Sequence, residues 1–193
     1  MALTDRVDAR VGGIAAASGV VAYVLGYLVV YVTQRSWVDE QLRTINVVAD
    51  LFGGDPIPSW QGIGWLFYNA HFVDTEIPAL GGTQVRNFIA TADDGSLTLL
   101  YLVPPLLLVA AGFATASLAG VRDPGESAPL GGLVAVGYLP LTILGAFAFR
   151  YAVGDGSVTP DLLTAVVIAS VVYPVAFGAA GGAIAGVVGD DRG

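Results

Sequence analysis

Residues 162–189 read LLTAVVIASVVYPVAFGAAGGAIAGVVG, a stretch of uncharged and mostly apolar side chains. The hydrocarbon core of a bilayer is crossed by roughly 20 helical residues, each rising about 1.5 Å along the helix axis. A buried helix of this length in a water-soluble protein would carry a polar stripe, and this stretch has no such stripe. The segment therefore predicts a transmembrane helix.

Three other windows share this composition, and the four windows together contain no charged side chain. All 16 acidic residues and all 8 basic residues lie outside them. The sequence therefore predicts an all-α, polytopic membrane protein with four transmembrane helices, at 11–33, 97–120, 130–149 and 162–189. The remaining segments are an N-terminal tail at 1–10, an extramembrane insert at 34–96, loops at 121–129 and 150–161, and a C-terminal tail at 190–193.

The water-exposed segments are strongly acidic. The chain has no cysteine, which excludes disulfide bonds and thiolate metal sites, and it has no lysine, with a net charge of −8. Acidic surfaces of this kind stay hydrated in molar salt, so the composition favours a halophilic source, specifically a haloarchaeon. Arginine in place of lysine is also the ordinary bias of a GC-rich genome, but the excess of acids favours the first interpretation.

The ends of the first span bear on topology. The N-terminal tail carries charges of both signs, and the apolar run that follows is longer than the hydrophobic region of a signal peptide. The first span is therefore predicted to be a retained helix. The arginines divide evenly between the two sides of the membrane, but those in a long insert count for less than those in short flanks. The sequence thus favours cytoplasmic termini and an insert outside the cell.

The insert begins with a helix signal. Residues Ser36 to Asp39 have the pattern of a capping box, and apolar residues then recur at helical spacing as far as Phe52. The pair Gly53-Gly54 ends the pattern. These features predict an amphipathic helix that lies on the membrane or on the other spans.

A second helical stretch follows Pro58, with Ser59 as the expected cap, and runs to Val73. Its density of tryptophan and tyrosine is typical of the headgroup layer, where an apolar ring and a polar tip are both accommodated. It is too short to span the bilayer. The sequence leaves open whether this stretch is interfacial, re-entrant or packed within the insert.

His71, in this aromatic stretch, is the only histidine of the chain. With Asn69, Asp74 and Glu76 nearby it could form a metal site or an acid–base pair. One histidine and two carboxylates are too few for a convincing ligand set, so anchoring of the aromatic helix is the favoured interpretation. The sequence predicts no catalytic residue, no metal site and no cofactor.

A row of small residues marks the fourth span. Gly178, Gly182 and Gly186 are spaced four apart and share one helix face, so the row exposes bare backbone to a close partner helix. One interpretation is a seam between copies of the chain or a moving contact in a transporter. The favoured interpretation is a tight contact with another span of the same chain.

Tyrosines are placed regularly in the spans. Tyr23, Tyr27 and Tyr31 share one face of the first span, and that face should look inward or toward a headgroup because a phenol in hydrocarbon requires a hydrogen-bond partner. One interpretation is a row of hydroxyls along a pathway, and the favoured one is packing with an aromatic belt at Tyr31. In each later span a tyrosine precedes a proline, at Tyr101, Tyr138 and Tyr173. This recurrence fits an internal repeat, but independent recurrence of the residue types that are common in membrane helices is the favoured explanation.

The segment Trp65-Leu66-Phe67-Tyr68-Asn69-Ala70-His71 resembles a stretch found in a family of small haloarchaeal membrane proteins of unknown function. That family is similar in layout, with a first span, an exposed insert that carries the aromatic stretch, and three further spans. The proline-bearing start of the second span, at 100–104, also matches. Some members are loosely described as permease-like. The resemblance implies a four-span fold and a halophilic source, and it implies no activity, cofactor or catalytic residue.

Two functions from different classes fit these features. The first, which is the favoured interpretation, is a permease-like or channel-like component that acts in an oligomer or complex, indicated by the mid-span prolines, the tyrosine face and the glycine row. The second is a structural or assembly protein that organises membrane partners through its insert. The absence of ionisable residues from the spans favours the second, because ion coupling usually depends on such residues.

The expected partners are the lipid bilayer and either further copies of the chain or other membrane subunits, with no nucleic acid. The chain contains no motif of an enzyme, so enzymatic activity is not expected. The residues predicted to form a possible functional surface are Trp65, Tyr68, Asn69, His71, Tyr23 and Tyr27.

Overall fold

The computed structural model describes residues 9–51, 55–79, 81–92 and 95–190. Within these ranges, four helical stretches are long and apolar enough to cross a membrane, at Ala9–Val47, Leu97–Ala119, Pro124–Ala148 and Leu162–Gly189. The expected all-α fold with four membrane-crossing helices is confirmed. The chain has the architecture of a multi-pass membrane protein.

The elements are named here in chain order. Two helices come first, α1 (Ala9–Leu51) and α2 (Ser59–Asn69), and are followed by strands β1 (Thr75–Ala79) and β2 (Gly82–Arg86). The second and third spans consist of a 3₁₀ segment (Ser96–Leu102) with α3 (Val103–Ala119), and of α4 (Pro124–Gly132) with α5 (Ala135–Ala148). Strands β3 (Tyr151–Val153) and β4 (Gly156–Pro160) lead to the fourth span, which contains α6 (Leu162–Thr164), a π-helix (Ala165–Val172) and α7 (Tyr173–Asp190).

Helix α1 is one continuous rod of 43 residues. At about 1.5 Å per residue it measures roughly 65 Å, twice the hydrocarbon thickness, so its second half projects from the membrane. The prediction of a separate helix that starts at Ser36 is wrong, because the sequence places no glycine or proline between Thr33 and Leu51 to end α1. The predicted stop at Gly53-Gly54 lies outside the described residues, as do most of both tails.

The third span begins earlier than its uncharged window. Asp123 caps α4, its Oδ1 accepting the backbone N–H of Glu126 at 3.0 Å, and Pro124 occupies the first turn, where its missing N–H costs nothing. Helical structure therefore includes most of 121–129, which the sequence marks as a loop. A short turn near Leu133 then separates α4 from α5.

The fourth span widens into a π-helix between α6 and α7. At the start of the fourth span, Asp161 caps α6 by accepting the N–H of Thr164 at 2.7 Å. The π-helix ends directly before Tyr173 and Pro174. Because Pro174 has no N–H and its ring crowds the carbonyl of Ser170, a wider turn at this point relieves the clash.

A small antiparallel sheet joins the insert to the loop between the third and fourth spans. Its strand order is β2-β1-β4-β3, and Thr75 pairs with both Arg86 and Pro160. The N–H of Asp161 also donates to the carbonyl of Asp74 at 2.9 Å. The sheet fastens the exit from the insert to the entrance of the fourth span.

The glycine row of the fourth span faces α4 of the same chain. A Cβ built on Gly178 would lie 2.5 Å from the carbonyl oxygen of Gly131, and one on Gly182 would overlap the carbonyl oxygen of Ser127. Gly186 meets the hydroxyl of Ser127 in the same way. The structure therefore places the row in an internal contact, where bare backbone lets α4 and α7 approach closely.

We expect Gly182→Ala to destabilise the protein by about 1–3 kcal/mol, because the added methyl group overlaps the backbone of Ser127. The matched control is Gly13→Ala in α1, where a Cβ has no neighbouring atom within 4 Å. Alanine gains up to about 1 kcal/mol over glycine in a helix, so the control should be neutral or stabilising. Thermal unfolding in detergent at high salt measures both changes, and equal melting temperatures would contradict the packing.

Candidate functional site

Helix α2 packs among the helices of the bundle of spans. Its residues from Gln61 to Asn69 are all buried. It runs antiparallel to α1, since Gly62 lies against Val38 and Leu42 at its start, and Tyr68 meets Tyr23 near its end. Because Tyr23 lies midway along the uncharged window 11–33, the tip of α2 reaches the middle of the spans. The structure thus packs α2 against the spans, with its first residues beside the second half of α1.

Glycines allow α2 to pack closely against α1 and α5. A Cβ on Gly64 would overlap the ring of Phe149, and one on Gly62 would lie 2.8 Å from a methyl group of Val38. On the α1 side, a Cβ on Gly26 would lie 2.8 Å from the ring of Phe67. Side chains at these positions would force α2 away from α1 and α5, so the close packing of the three helices depends on them.

Polar side chains of α2 bind the carboxyl end of α5. The Gln61 Nε2 group donates to the carbonyl of Arg150 at 2.8 Å and to that of Ala148 at 3.3 Å. The indole N–H of Trp65 donates to the carbonyl of Phe149 at 2.7 Å. The last carbonyls of a helix have no partner within the helix, so these bonds satisfy groups that would otherwise be unpaired beside the membrane. Ser59, expected as the cap of α2, instead donates to Asp39 of α1.

His71 lies just beyond the tip of α2, with only 1% of its surface exposed. Its Nδ1 is 2.8 Å from the carbonyl oxygen of Phe67, and its Nε2 is 2.6 Å from the hydroxyl of Tyr138. A carbonyl oxygen can only accept, so Nδ1 of the neutral ring carries the proton and Nε2 accepts from Tyr138. Both nitrogens are therefore satisfied by protein groups, and the ring joins α2 to the third span.

An aromatic layer surrounds this histidine. The hydroxyls of Tyr23 and Tyr68 are 3.4 Å apart, and Tyr68 donates to the carbonyl of Thr142 in α5. The ring of Tyr23 meets those of Phe67 and Tyr138 edge to face, with centroids 5.1 and 5.3 Å apart. Edge-to-face contacts of this kind add stabilisation beyond simple burial. The layer fills the space between α1, α2 and α5.

Tyr27 continues the layer toward the extramembrane side. Its hydroxyl donates to the carbonyl of Trp60 at 3.1 Å, and its ring stacks on Phe149 at a centroid distance of 5.4 Å. The tyrosine face of the first span thus looks inward, onto α2.

Asn69 controls the turn that leads out of the bundle. Its side-chain N–H groups donate to the carbonyl of Val73 at 2.8 Å and to the hydroxyl of Thr75 at 3.3 Å. Its Oδ1 accepts the backbone N–H of Phe88 at 2.8 Å. Within the same turn, Phe72 adopts a left-handed backbone with φ of 58°. A single amide therefore holds together the end of α2, β1 and the segment after β2.

The six residues predicted as a functional surface all lie in or against α2, and five of them are buried, while Tyr27 is partly buried. Sequence reasoning missed their partners on other spans, chiefly Tyr138, Tyr173 and Phe149. Tyr138 bonds His71, and the Tyr173 ring lies 5.2 Å from the imidazole. The one signal that could have found these two tyrosines is their shared position just before a proline.

A polar cleft of about 320 Å³ lies beside the sheet. Glu76 of β1 and Asp161 line it together with Arg150. Partial burial and the neighbouring Asp161 carboxylate raise the pKa of Glu76 above its usual value. Among the described residues, no group of three or more histidines and acids has an arrangement that could hold a metal ion. The structure thus offers no ligand set at His71 or at this acidic pair.

Comparison with known proteins yields one family. A model described as a family of unknown function (DUF7978) matches residues 4–189. This match confirms the expectation of an uncharacterised family. No curated protein and no solved structure matches the chain. An inference about function therefore depends on the geometry of α2 and its surroundings.

We expect Tyr138→Phe to destabilise the protein by about 1–3 kcal/mol, because it leaves the Nε2 of the buried imidazole unpaired. The control is Tyr31→Phe, since the Tyr31 hydroxyl forms no hydrogen bond with any residue that the structure describes. That change should stay within about 0.5 kcal/mol. Thermal unfolding measures both.

A spectroscopic readout makes this test specific. Because His71 is the only histidine, labelling with nitrogen-15 histidine reports on a single ring. In Tyr138→Phe, the Nε2 resonance should shift while Nδ1 keeps its proton. An Nε2 resonance that is the same in both proteins would contradict the assigned hydrogen bond.

Proposed function

We propose that this chain, which belongs to the family of unknown function DUF7978, is a structural membrane protein. In this proposal the four spans form a closed anchor. The anchor holds the projecting half of α1 and the sheet, together called the extramembrane module, in a fixed position for assembly with partners. The chain has no enzymatic role.

The observation that carries this proposal is the bonding of the interior. The imidazole of His71 and the hydroxyls of Tyr23, Tyr68 and Tyr138 all bond one another or other protein groups. Among the described residues, no buried side-chain nitrogen or oxygen is left without a partner. A permeation pathway presents polar groups to water or substrate. Groups already bonded to protein favour a closed bundle.

The extramembrane module is firmly attached to this anchor. Asn46 on the projecting half of α1 exchanges two hydrogen bonds with the backbone of Ile57, at 2.8 and 3.1 Å. The strands tie the module to the fourth span through Asp161. Strand β2 is an edge strand whose five residues are all exposed, and edge strands can pair with another chain. A surface held so rigidly suits assembly with further copies or other membrane subunits.

The source and topology are part of the same proposal. The acidic, lysine-free composition and the aromatic motif from Trp65 to His71 support a haloarchaeal origin. The arginine distribution supports cytoplasmic termini, which would place the extramembrane module outside the cell.

A second candidate is a permease-like or channel-like component. The π-helix of the fourth span favours it, because such irregular turns are frequent at functional sites and this one ends at Tyr173, beside His71. A change in the π-helix would move a side chain that contacts the tip of α2. This coupling would suit a gate.

Reconstitution separates the two candidates. We expect liposomes that contain the protein, prepared in high salt, to release trapped dye and ions no faster than protein-free liposomes, because the aromatic layer closes the bundle. A pore-forming peptide added at the end verifies that the vesicles are sealed. Saturable flux that depends on the protein would contradict the closed anchor and support the second candidate.

A further inference from the structure

A second cavity, which we call the module cavity, lies between the projecting half of α1, helix α2 and the sheet. Its volume is about 410 Å³. Pockets that bind small molecules usually range from roughly 300 to 1,000 Å³. The module cavity is separate from the polar cleft beside Glu76, and the proposed structural role does not use it.

The floor of the module cavity is apolar. Leu42 of α1 and Trp65 of α2 are buried side chains that line it, and Ile77 of β1 closes one side. Apart from the indole groups of two tryptophans, the only polar side chains among the described residues that line the cavity are Gln41 and Arg86. Both residues are exposed. Polar groups at the edge of an apolar floor orient a ligand that has one polar end.

Arg86 brings a positive charge to this edge. Two other arginines of the module are paired, Arg35 with Asp39 at 3.8 Å and Arg43 with Glu40 at 3.4 Å. Arg86 forms no ion pair with any residue of the described ranges. In a chain whose net charge is −8, a guanidinium beside an apolar cavity is complementary to a ligand with a single anionic end.

We infer that the module cavity binds a single-chain amphipathic carboxylate, with its apolar chain on Leu42 and Trp65 and its carboxylate on Arg86. The volume of about 410 Å³ suits one aliphatic chain better than the two chains of a membrane lipid. Gln41 is the other exposed polar side chain of the lining. This inference goes beyond the proposed structural role and does not depend on it.

The test uses the full chain in nanodiscs at high salt, with two probes of equal length: a terminally brominated undecanoate and the corresponding bromoalcohol. Trp37 and Trp65 line the cavity, and bromine quenches tryptophan fluorescence on contact. We expect saturable quenching by the carboxylate. Its midpoint concentration should be about tenfold lower than that of the alcohol, because a charge-assisted contact with Arg86 stabilises the bound carboxylate.

Three variants complete the design. Arg86→Gln should raise the carboxylate midpoint about tenfold and leave that of the alcohol unchanged. Arg43→Gln is the matched control, since that arginine does not line the cavity, and it should change neither midpoint. Val153→Phe adds a ring at the cavity wall and should weaken both probes.

Two outcomes would overturn the inference. Quenching without saturation, equal in all four proteins, would mean that the probes only dissolve in the bilayer. Equal midpoints for carboxylate and alcohol, insensitive to Arg86→Gln, would mean that the cavity does not select an anion. Melting temperatures of the variants, measured in the same nanodiscs, show whether a loss of binding comes from a loss of fold.

Discussion

Within a bilayer there is no water to bond a polar group, and the arrangement of this protein depends on that constraint. Helix α2 brings polar side chains and its carboxyl end into the bundle of spans, where each polar group must find a protein partner. Helix α2 meets this requirement by giving its donors to the free carbonyls at the end of α5 and its histidine to Tyr138. The contact of α2 with the third span therefore combines ring packing with hydrogen bonds between polar groups that would otherwise be unpaired.

The placement of the charges made the four spans predictable. A charged side chain is costly in hydrocarbon, so each span is a long window of sequence without charged residues. The projecting half of α1 was harder to predict. A capping-box pattern at Ser36 suggested a new helix, but such a pattern acts only where the chain has already left helical geometry, and nothing ends α1 before that point. The sheet escaped prediction because its strands are short and come from two separate segments of the chain.

The site was only half predictable for a related reason. The residues of α2 are contiguous, so the density of aromatic side chains marked them as a unit. Their partners lie on other spans, and a single sequence does not show which faces of those spans meet. Tyr138 and Phe149 thus became part of the site only through tertiary packing. The same packing shows that the tyrosine face of the first span looks onto a solid layer of rings, which is why a closed anchor fits the geometry better than a conduit.

The unbroken length of α1 has a mechanical consequence. A stiff helix acts as a lever, so a change in the tilt of its membrane half must turn the projecting half by the same angle. With an arm of roughly 24 Å, a tilt of about 10° displaces the far end by roughly 4 Å. Leu42 lies on that arm and forms part of a wall of the module cavity. A change in the tilt of α1 relative to α2 would therefore change the shape of the module cavity.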